Sequence, residues 1–276
     1  MKIPKPILLT AKLLQFISPN LATQFAAKLF TTPIKHKIPK RELQMDAESV
    51  QVTMLIPAIN KEIVVYQYGK SDRKILLVHG WSGRGTQLVK IADELLKLGF
   101  STVSFDAPAH GKSKGKTTLM PEFIASILEI EKQLGPFEYA IGHSLGGMSI
   151  LNAINSGLNV KKAVTIGSAD IIQDIIDDFV TQLKLKPSLG IKLRDHFEKK
   201  FNVEMDSFSA SRAAKSVDIP ILIIHDIHDD DVNVKAAHHI HKNLKNSELL
   251  ITEGLGHRKI LGNDDVIKNI IKFIHS

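Results

Sequence analysis

Short apolar runs alternate along the chain with longer stretches in which apolar residues recur at helical spacing. The runs that resemble strands are 52–57, 62–68, 74–78, 100–105, 139–141, 160–166, 219–224 and 248–252. Between most of them, apolar residues repeat every three or four positions, as in 88–96 and 123–134. The first two runs predict an antiparallel pair. The later alternation predicts an α/β fold with a mostly parallel central sheet and helices on both faces.

Residues 170–215 interrupt this alternation, because they contain helical patterns but no strand pattern. A wide apolar stripe runs from Ile171 to Leu183, and Asp170 is the expected N-cap of this helix. An insertion here would lie over the carboxyl ends of the parallel strands, where open α/β sheets bind ligands. We predict a small helical cap insertion; a helix packed into the ordinary core is the alternative that the pattern leaves open.

The first 45 residues differ in character from the rest. Two apolar stretches, 7–17 and 21–30, are each interrupted by a lysine and are separated by Ser-Pro-Asn at 18–20. Neither reaches the roughly 18 uninterrupted apolar residues of a membrane span. The lysine in the first stretch also splits the apolar run that a secretory signal needs. We therefore predict an amphipathic helical segment over 1–45 and a main domain over 46–276.

Positive charge is concentrated in the same segment. The chain has 36 Lys and Arg, 29 Asp and Glu, and a formal net charge of +7. Residues 1–41 hold eight Lys or Arg and no acid, which leaves 28 basic and 29 acidic residues in 42–276. Because residues 42–276 are close to neutral, they lack the positive charge that attracts a nucleic-acid backbone. Since the chain has no cysteine, it also has no disulfide and no thiolate zinc site.

Two interpretations of the basic segment stay open. Its apolar faces pack on the body, or they form a basic anchor at a membrane surface. We favour packing, because the near-neutral body supplies no second basic patch to strengthen an anchor. The side chains expected to cover the body include Leu13, Leu14, Phe16, Phe25 and Leu29. The expected location is cytoplasmic, with peripheral membrane contact through residues 1–41 as the alternative.

A candidate nucleophile lies in the sequence Gly-His-Ser-Leu-Gly-Gly at 142–147. An apolar strand run precedes this sequence and a helical pattern follows it, which is the context expected of a G-x-S-x-G turn. The glycines allow a sharp turn that lifts the hydroxyl of Ser144 out of the sheet. A serine hydroxyl needs a base to take its proton, and the base needs a group that holds its other nitrogen.

Candidates for the base and its partner follow two later strand runs. The run 219–224 is followed by Asp229, Asp230 and Asp231, and the run 248–252 is followed by His257. Their chain order, serine then aspartate then histidine, is the order found when a G-x-S-x-G serine has a triad. Three adjacent aspartates leave the identity of the acid open on this reasoning.

With these residues the chain resembles the α/β-hydrolase fold family of serine esterases and lipases, from about residue 60 to the C-terminus. His-Gly-Trp at 79–81 fits the family's strand-terminal oxyanion loop, although the H-G-G-G form found in lipases is absent. Residues 106–113 resemble its D-x-x-x-H-G-x-S turn, and Gly-Leu-Gly-His at 254–257 matches its closing G-x-G-H motif. The sequence departs from the family at Asp226, where Gly is usual, and at Asn233, where Pro often follows the valine.

The resemblance implies a role for each matched residue. Ser144 corresponds to the nucleophile, His257 to the general base, and Asp229 to the acid that holds the base. The backbone N–H groups of Trp81 and Leu145 correspond to the oxyanion hole. The implied activity is cleavage of a carboxylic ester through an acyl-enzyme, without a cofactor or metal.

The expected partner is a small-molecule ester with an apolar portion, because an apolar stripe runs through the predicted cap. A thioester, a lactone or an activated amide would suit the same machinery. The alternative from another class is a non-catalytic α/β-hydrolase-like binding module.

Further histidines receive other interpretations. His110 and His143 are expected to hold loops by hydrogen bonds. The His and Asp residues between 225 and 241 could suggest a metal site, but the helix face that begins at His238 is expected to be solvated. We therefore expect no metal site.

Overall fold

A computed structural model describes residues 3–276, and Met1 and Lys2 of the predicted basic segment lie outside these residues. Eight strands of the described chain form one sheet in the order β1-β2-β4-β3-β5-β6-β7-β8. They are β1 (Val50–Ile56), β2 (Lys61–Tyr68), β3 (Lys74–Val78), β4 (Ser101–Asp106), β5 (Tyr139–His143), β6 (Lys162–Ile166), β7 (Ile221–Asp226) and β8 (Ser247–Thr252). The strand β2 pairs antiparallel with β1 and β4, and the remaining pairs are parallel. The predicted sheet is confirmed.

Helices of the described chain precede the sheet, connect its strands and form one insertion. They are α1 (Lys5–Ile17), α2 (Pro19–Phe30), α3 (Leu43–Glu48), α4 (Val89–Lys97), α5 (Met120–Leu134), α6 (Leu145–Asn155), α7 (Ile172–Gln182), α8 (Ser188–Phe201), α9 (Ala210–Ala214), α10 (Lys235–Asn243), α11 (Gly256–Lys259) and α12 (Asp264–His275). None of these helices has both the length and the apolar character needed to cross a bilayer.

The central strands are buried on both faces. In β3, Leu76 and Val78 belong to the same apolar core as α5 and α6. Ile75 and Leu77 belong to the core on the opposite face, with α4 and α12. Successive side chains of a strand point to opposite faces. A strand covered on both sides is therefore apolar at nearly every position, as the run 74–78 is.

The cap is helical, as predicted, and consists of α7, α8 and α9. The expectation that Asp170 is the N-cap of α7 is wrong. That helix begins at Ile172, and its N-cap is Ile171 without a side-chain hydrogen bond. The carboxylate of Asp170 instead accepts a hydrogen bond from the backbone N–H of Ser211 at the start of α9, at 2.6 Å. It therefore ties the beginning of the cap to its end.

The helices α1 and α2 pack against each other, and α2 packs against α8 of the cap. Small residues make their closest contacts with the core, namely Ala11, Ala22, Ala26 and Ala27. Leu14, Phe25 and Leu29 also pack against it, as expected. The expectation is wrong for Leu13 and Phe16, because both are exposed. They lie on the face of α1 opposite Ala11, whose small side chain allows close approach. The division of the chain at residue 45 stays a prediction.

Candidate active site

Ser144 occupies a strained turn between β5 and α6. Its backbone has φ 54° and ψ −121°, a conformation that residues other than glycine rarely adopt. A Cβ at Gly142 would lie 2.5 Å from the carbonyl oxygen of Gly146. A Cβ at Gly146 would overlap with the carbonyl oxygen of Val78. Both glycines of the G-x-S-x-G pattern are therefore required, because neighbouring backbone carbonyl groups lie too close to them for any side chain.

Asp229 and His257 meet across two loops. Asp229 follows β7, His257 lies in α11 after β8, and Nδ1 of His257 lies 2.7 Å from Oδ2 of Asp229. Oδ1 of Asp229 accepts hydrogen bonds from the backbone N–H groups of Asp231 and Val232, each at 2.8 Å. Burial by itself raises the pKa of Asp229, but the hydrogen bond and charge of His257 together with these N–H groups bring it below its ordinary value. The buried carboxylate therefore stays ionised at neutral pH and can hold the imidazole.

The neighbouring aspartates have other surroundings. Asp231 forms an ion pair with Arg258 at 2.8 Å, and Asp230 is exposed. Among the three candidate acids in the described chain, Asp229 is the one bonded to the imidazole of His257. The role of Asp229 as the catalytic acid stays a prediction.

One large cavity brings the candidate residues together. Its volume is about 1020 Å³, and Ser144, His257, Trp81 and Leu145 all line it. Apolar side chains make up much of the remaining wall, from the segment before the sheet, from the start of α5 and from the cap. They include Leu29, Phe30, Met120, Ile175, Phe179 and Phe208. A cavity of this size at the upper end of the usual range can bury a long apolar ligand.

The two backbone N–H groups proposed for an oxyanion hole belong to different elements. Leu145 is the first residue of α6, where N–H groups have no carbonyl acceptor within the helix and the helix dipole is positive. Trp81 follows β3 and lines the same cavity. A Cβ at Gly80 would lie 2.9 Å from Cβ of Ser144, so the oxyanion loop passes directly beside the serine.

Two neutral histidines fix that loop. His79 donates from Nδ1 to the carbonyl of Gly80 at 2.7 Å and accepts at Nε2 from the N–H of Ala107 at 3.0 Å. His110 accepts at Nε2 from the N–H of Ser82 at 3.0 Å. Burial lowers the pKa of His79 to about 4. Burial, together with repulsion from the protonated form of His79, lowers the pKa of His110 to about 3. Both rings are therefore uncharged at neutral pH, and the structural interpretation of His110 agrees with these contacts.

The loops that carry the acid and the base share one buried carboxylate. Asp226 accepts from the N–H of His228 at 3.0 Å on one oxygen, and from Thr252 Oγ1 at 2.7 Å and the N–H of Leu255 at 3.0 Å on the other. His143 adds a second support, because its Nε2 donates to the carbonyl of His257 at 2.8 Å. The aspartate that departs from the family pattern therefore joins the two loops.

A second histidine and aspartate pair was not predicted, because no local sequence pattern indicates it. Nδ1 of His239, on α10, is hydrogen bonded to Oδ2 of Asp170, and both residues line the cavity. His239 nevertheless lies on the exposed helix face that was expected, with 47% of its side chain accessible to solvent. Farther along the helix His241 is half-buried, and its Nδ1 lies 2.7 Å from Oγ of Ser247. The pairing of His239 depends on the position of the cap, which no local pattern encodes.

Comparison with known proteins gives the same fold. A family model described as alpha/beta hydrolase fold matches residues 74–199. No curated protein sequence matches the chain significantly. Similar solved structures include an esterase from Pyrococcus furiosus, with a TM-score of 0.68 and 18% identity over 89% of this chain and 97% of that chain. An esterase from Exiguobacterium antarcticum has a TM-score of 0.65 and 18% identity, over 82% and 100% of the two chains. A bromoperoxidase from Bacillus anthracis has a TM-score of 0.62 and 16% identity, over 82% and 99%.

Proteins named for different reactions share this architecture, so the reaction has to be argued from the site. The family match, the sheet order and the turn at Ser144 all agree on the architecture. The chain therefore has the α/β-hydrolase fold, the fold of the two esterases to which it is similar.

Proposed function

We propose that this protein is a serine hydrolase that cleaves carboxylic esters. The observation that carries the proposal is that His257, which is held by Asp229, lines the same cavity as Ser144. A serine on a strained turn and a histidine held by an ionised carboxylate are the two parts that acyl transfer needs. The esterases among the similar structures support the same class of reaction.

In this mechanism Oγ of Ser144 attacks the ester carbonyl carbon while His257 accepts the hydroxyl proton. The negative charge that develops on the carbonyl oxygen is stabilised by the N–H groups of Leu145 and Trp81. The tetrahedral intermediate expels the alcohol, which takes the proton from His257, and the acyl group stays on Ser144. A water molecule then gives its proton to His257 and attacks the acyl carbon. When the bond between the acyl carbon and Oγ breaks, His257 returns that proton to Oγ of Ser144 and the acid is released. Asp229 remains ionised throughout and stabilises the imidazolium.

The cavity wall favours an ester with a substantial hydrocarbon portion. Side chains such as Phe30, Met120 and Phe179 offer apolar contact but no hydrogen bond to a substrate. An acyl chain or an apolar alcohol buried there gains roughly 25 cal/mol for each Å² removed from water. We therefore expect kcat/KM to rise with acyl chain length until the cavity is filled.

The test uses p-nitrophenyl esters from acetate to laurate with wild type, Ser144→Ala and Ser156→Ala. Ser156 is a matched control, because it lies at the far end of α6 on the surface. Ser144→Ala should lower kcat by about three orders of magnitude or more, and Ser156→Ala should leave it unchanged. A fluorophosphonate should add covalently to the wild type and to the control but not to Ser144→Ala. Wild-type turnover in Ser144→Ala would refute the assigned nucleophile, and no turnover of any ester would favour the non-catalytic binding module.

A further inference from the structure

The helix α1 carries an unpartnered apolar face. Leu9, Leu13, Phe16 and Ile17 are 68%, 59%, 91% and 61% exposed. At about 100° per residue, these positions fall on one side of the helix. The opposite side, with Ala11, packs against the protein. Single exposed apolar residues are common, but a continuous apolar helix face marks a surface where something binds. We call these four residues the exposed stripe.

Lysines border the exposed stripe. Lys5 and Lys12 lie on the same side of α1, at the edge of the stripe, by the same helical angle. Within residues 3–276, the exposed Lys5, Lys12, Lys28 and Lys37 have no carboxylate within ion-pair distance in the structure. No acidic residue occurs in the first 41 residues. The surface at the stripe therefore combines apolar side chains with lysines whose positive charges have no ion-pair partner in the described part of the chain.

Two kinds of partner could cover the exposed stripe, namely a second copy of this chain or a lipid bilayer, and the bordering lysines distinguish between them. In a symmetric dimer through the stripe, each copy would present the same surface to the other. Lys5 and Lys12 of one copy would then face the lysines of the other copy, and in the described part of each chain no carboxylate lies within ion-pair distance of them. A bilayer that contains anionic lipid offers a hydrocarbon region for the stripe and phosphate groups for the lysines.

We propose that α1 docks this protein on the surface of an anionic phospholipid bilayer, with the exposed stripe inserted at the headgroup boundary and Lys5 and Lys12 at the phosphates. The adjoining helix α2 supplies Leu29 and Phe30 to the wall of the cavity. The hairpin that would meet the lipid therefore also forms part of the site. Binding to a bilayer does not require that the site be an esterase, so the two proposals can fail independently.

The test is flotation of the full-length protein with vesicles of phosphatidylcholine, alone or with about one third phosphatidylglycerol, at low and high salt. The variant Leu13→Gln with Phe16→Gln removes half of the stripe. The matched control is Val50→Gln with Leu55→Gln, two residues of the edge strand β1 that are 62% and 51% exposed. A second variant, Lys5→Gln with Lys12→Gln, removes charge alone. Melting temperatures and oligomeric state are measured for every variant without vesicles.

We expect the wild type to bind the anionic vesicles and to release as salt increases. Loss of the two stripe residues should lower the partition coefficient at least about tenfold, and loss of the two lysines should lower it about tenfold on anionic vesicles only. The control should bind like the wild type. Absence of wild-type binding, or equal binding by the stripe variant, would overturn the proposal. A wild-type dimer that the stripe variant converts to a monomer would instead identify the stripe as a contact between copies, and would overturn it too.

Discussion

Acidification from pH 7 to pH 5 should strongly destabilise the fold, because buried histidines, three of them with strongly lowered pKa values, have to remain neutral in it. Besides His79 and His110, burial and the charge of His257 lower the pKa of His143 to about 3. Protonation would place a second N–H donor against the N–H of Ala107 at His79, and against the N–H of Ser82 at His110. At His143 it would add a proton to Nδ1, which is buried and has no hydrogen-bond partner among the described residues.

The sign and size of the effect follow from linkage. In the unfolded chain each histidine titrates near pH 6.5, whereas in the folded protein it titrates near pH 3 to 4. Between these values the unfolded chain binds more protons, so the free energy of unfolding falls as the pH falls below 6.5. From pH 7 to pH 5 each histidine contributes about 2 kcal/mol of this loss, and the three contribute about 6 kcal/mol. That is comparable with the whole stability of many domains, about 5–15 kcal/mol.

Urea unfolding at a series of pH values between 7 and 5 measures this loss directly. Asp226 and Asp229 do not confuse the result, because their lowered pKa values confine their effect to pH values below about 4. His110→Gln keeps an oxygen that can accept from Ser82 but cannot titrate, so its loss should be about 2 kcal/mol smaller. His238→Gln, at an exposed position, should behave like the wild type. A total loss under about 2 kcal/mol, or an undiminished loss in His110→Gln, would refute the reasoning.

Three further outcomes are expected. Asp229→Asn should lower kcat by about 10³-fold or more in the p-nitrophenyl ester assay, whereas Asp230→Asn should change it by less than about twofold; the reverse order would move the acid. Phe30→Ala should move the maximum of kcat/KM toward longer acyl chains, because removal of the phenyl ring from the wall enlarges the cavity; an unchanged chain-length profile would place the acyl group elsewhere. Gly146→Ala should lower the free energy of unfolding in urea by more than about 2 kcal/mol, because its Cβ would overlap with the carbonyl of Val78; wild-type stability would contradict that overlap.

The fold could be predicted from the sequence because its signals are local. Buried strands such as β3 are apolar throughout, and the order of motifs around Ser144 limits the topology. The features that were missed depend on contacts between distant residues. His239 and Asp170 are 69 residues apart, and their pairing requires the cap to lie against α10. Similarly, helical periodicity marks α1 as apolar but cannot decide which of its two apolar faces the protein covers.

The carboxylate of Asp226 also has a consequence for motion. The N–H groups of His228 and Leu255 belong to different loops but donate to this one side chain. Neither loop can detach from it without leaving a buried charge short of its donors, so the loops should open as one cooperative unit. In amide hydrogen exchange, these two N–H groups should therefore lose protection together and with similar opening free energies. The acid and the base would then leave their working positions at the same moment, which keeps partly assembled forms of the site rare.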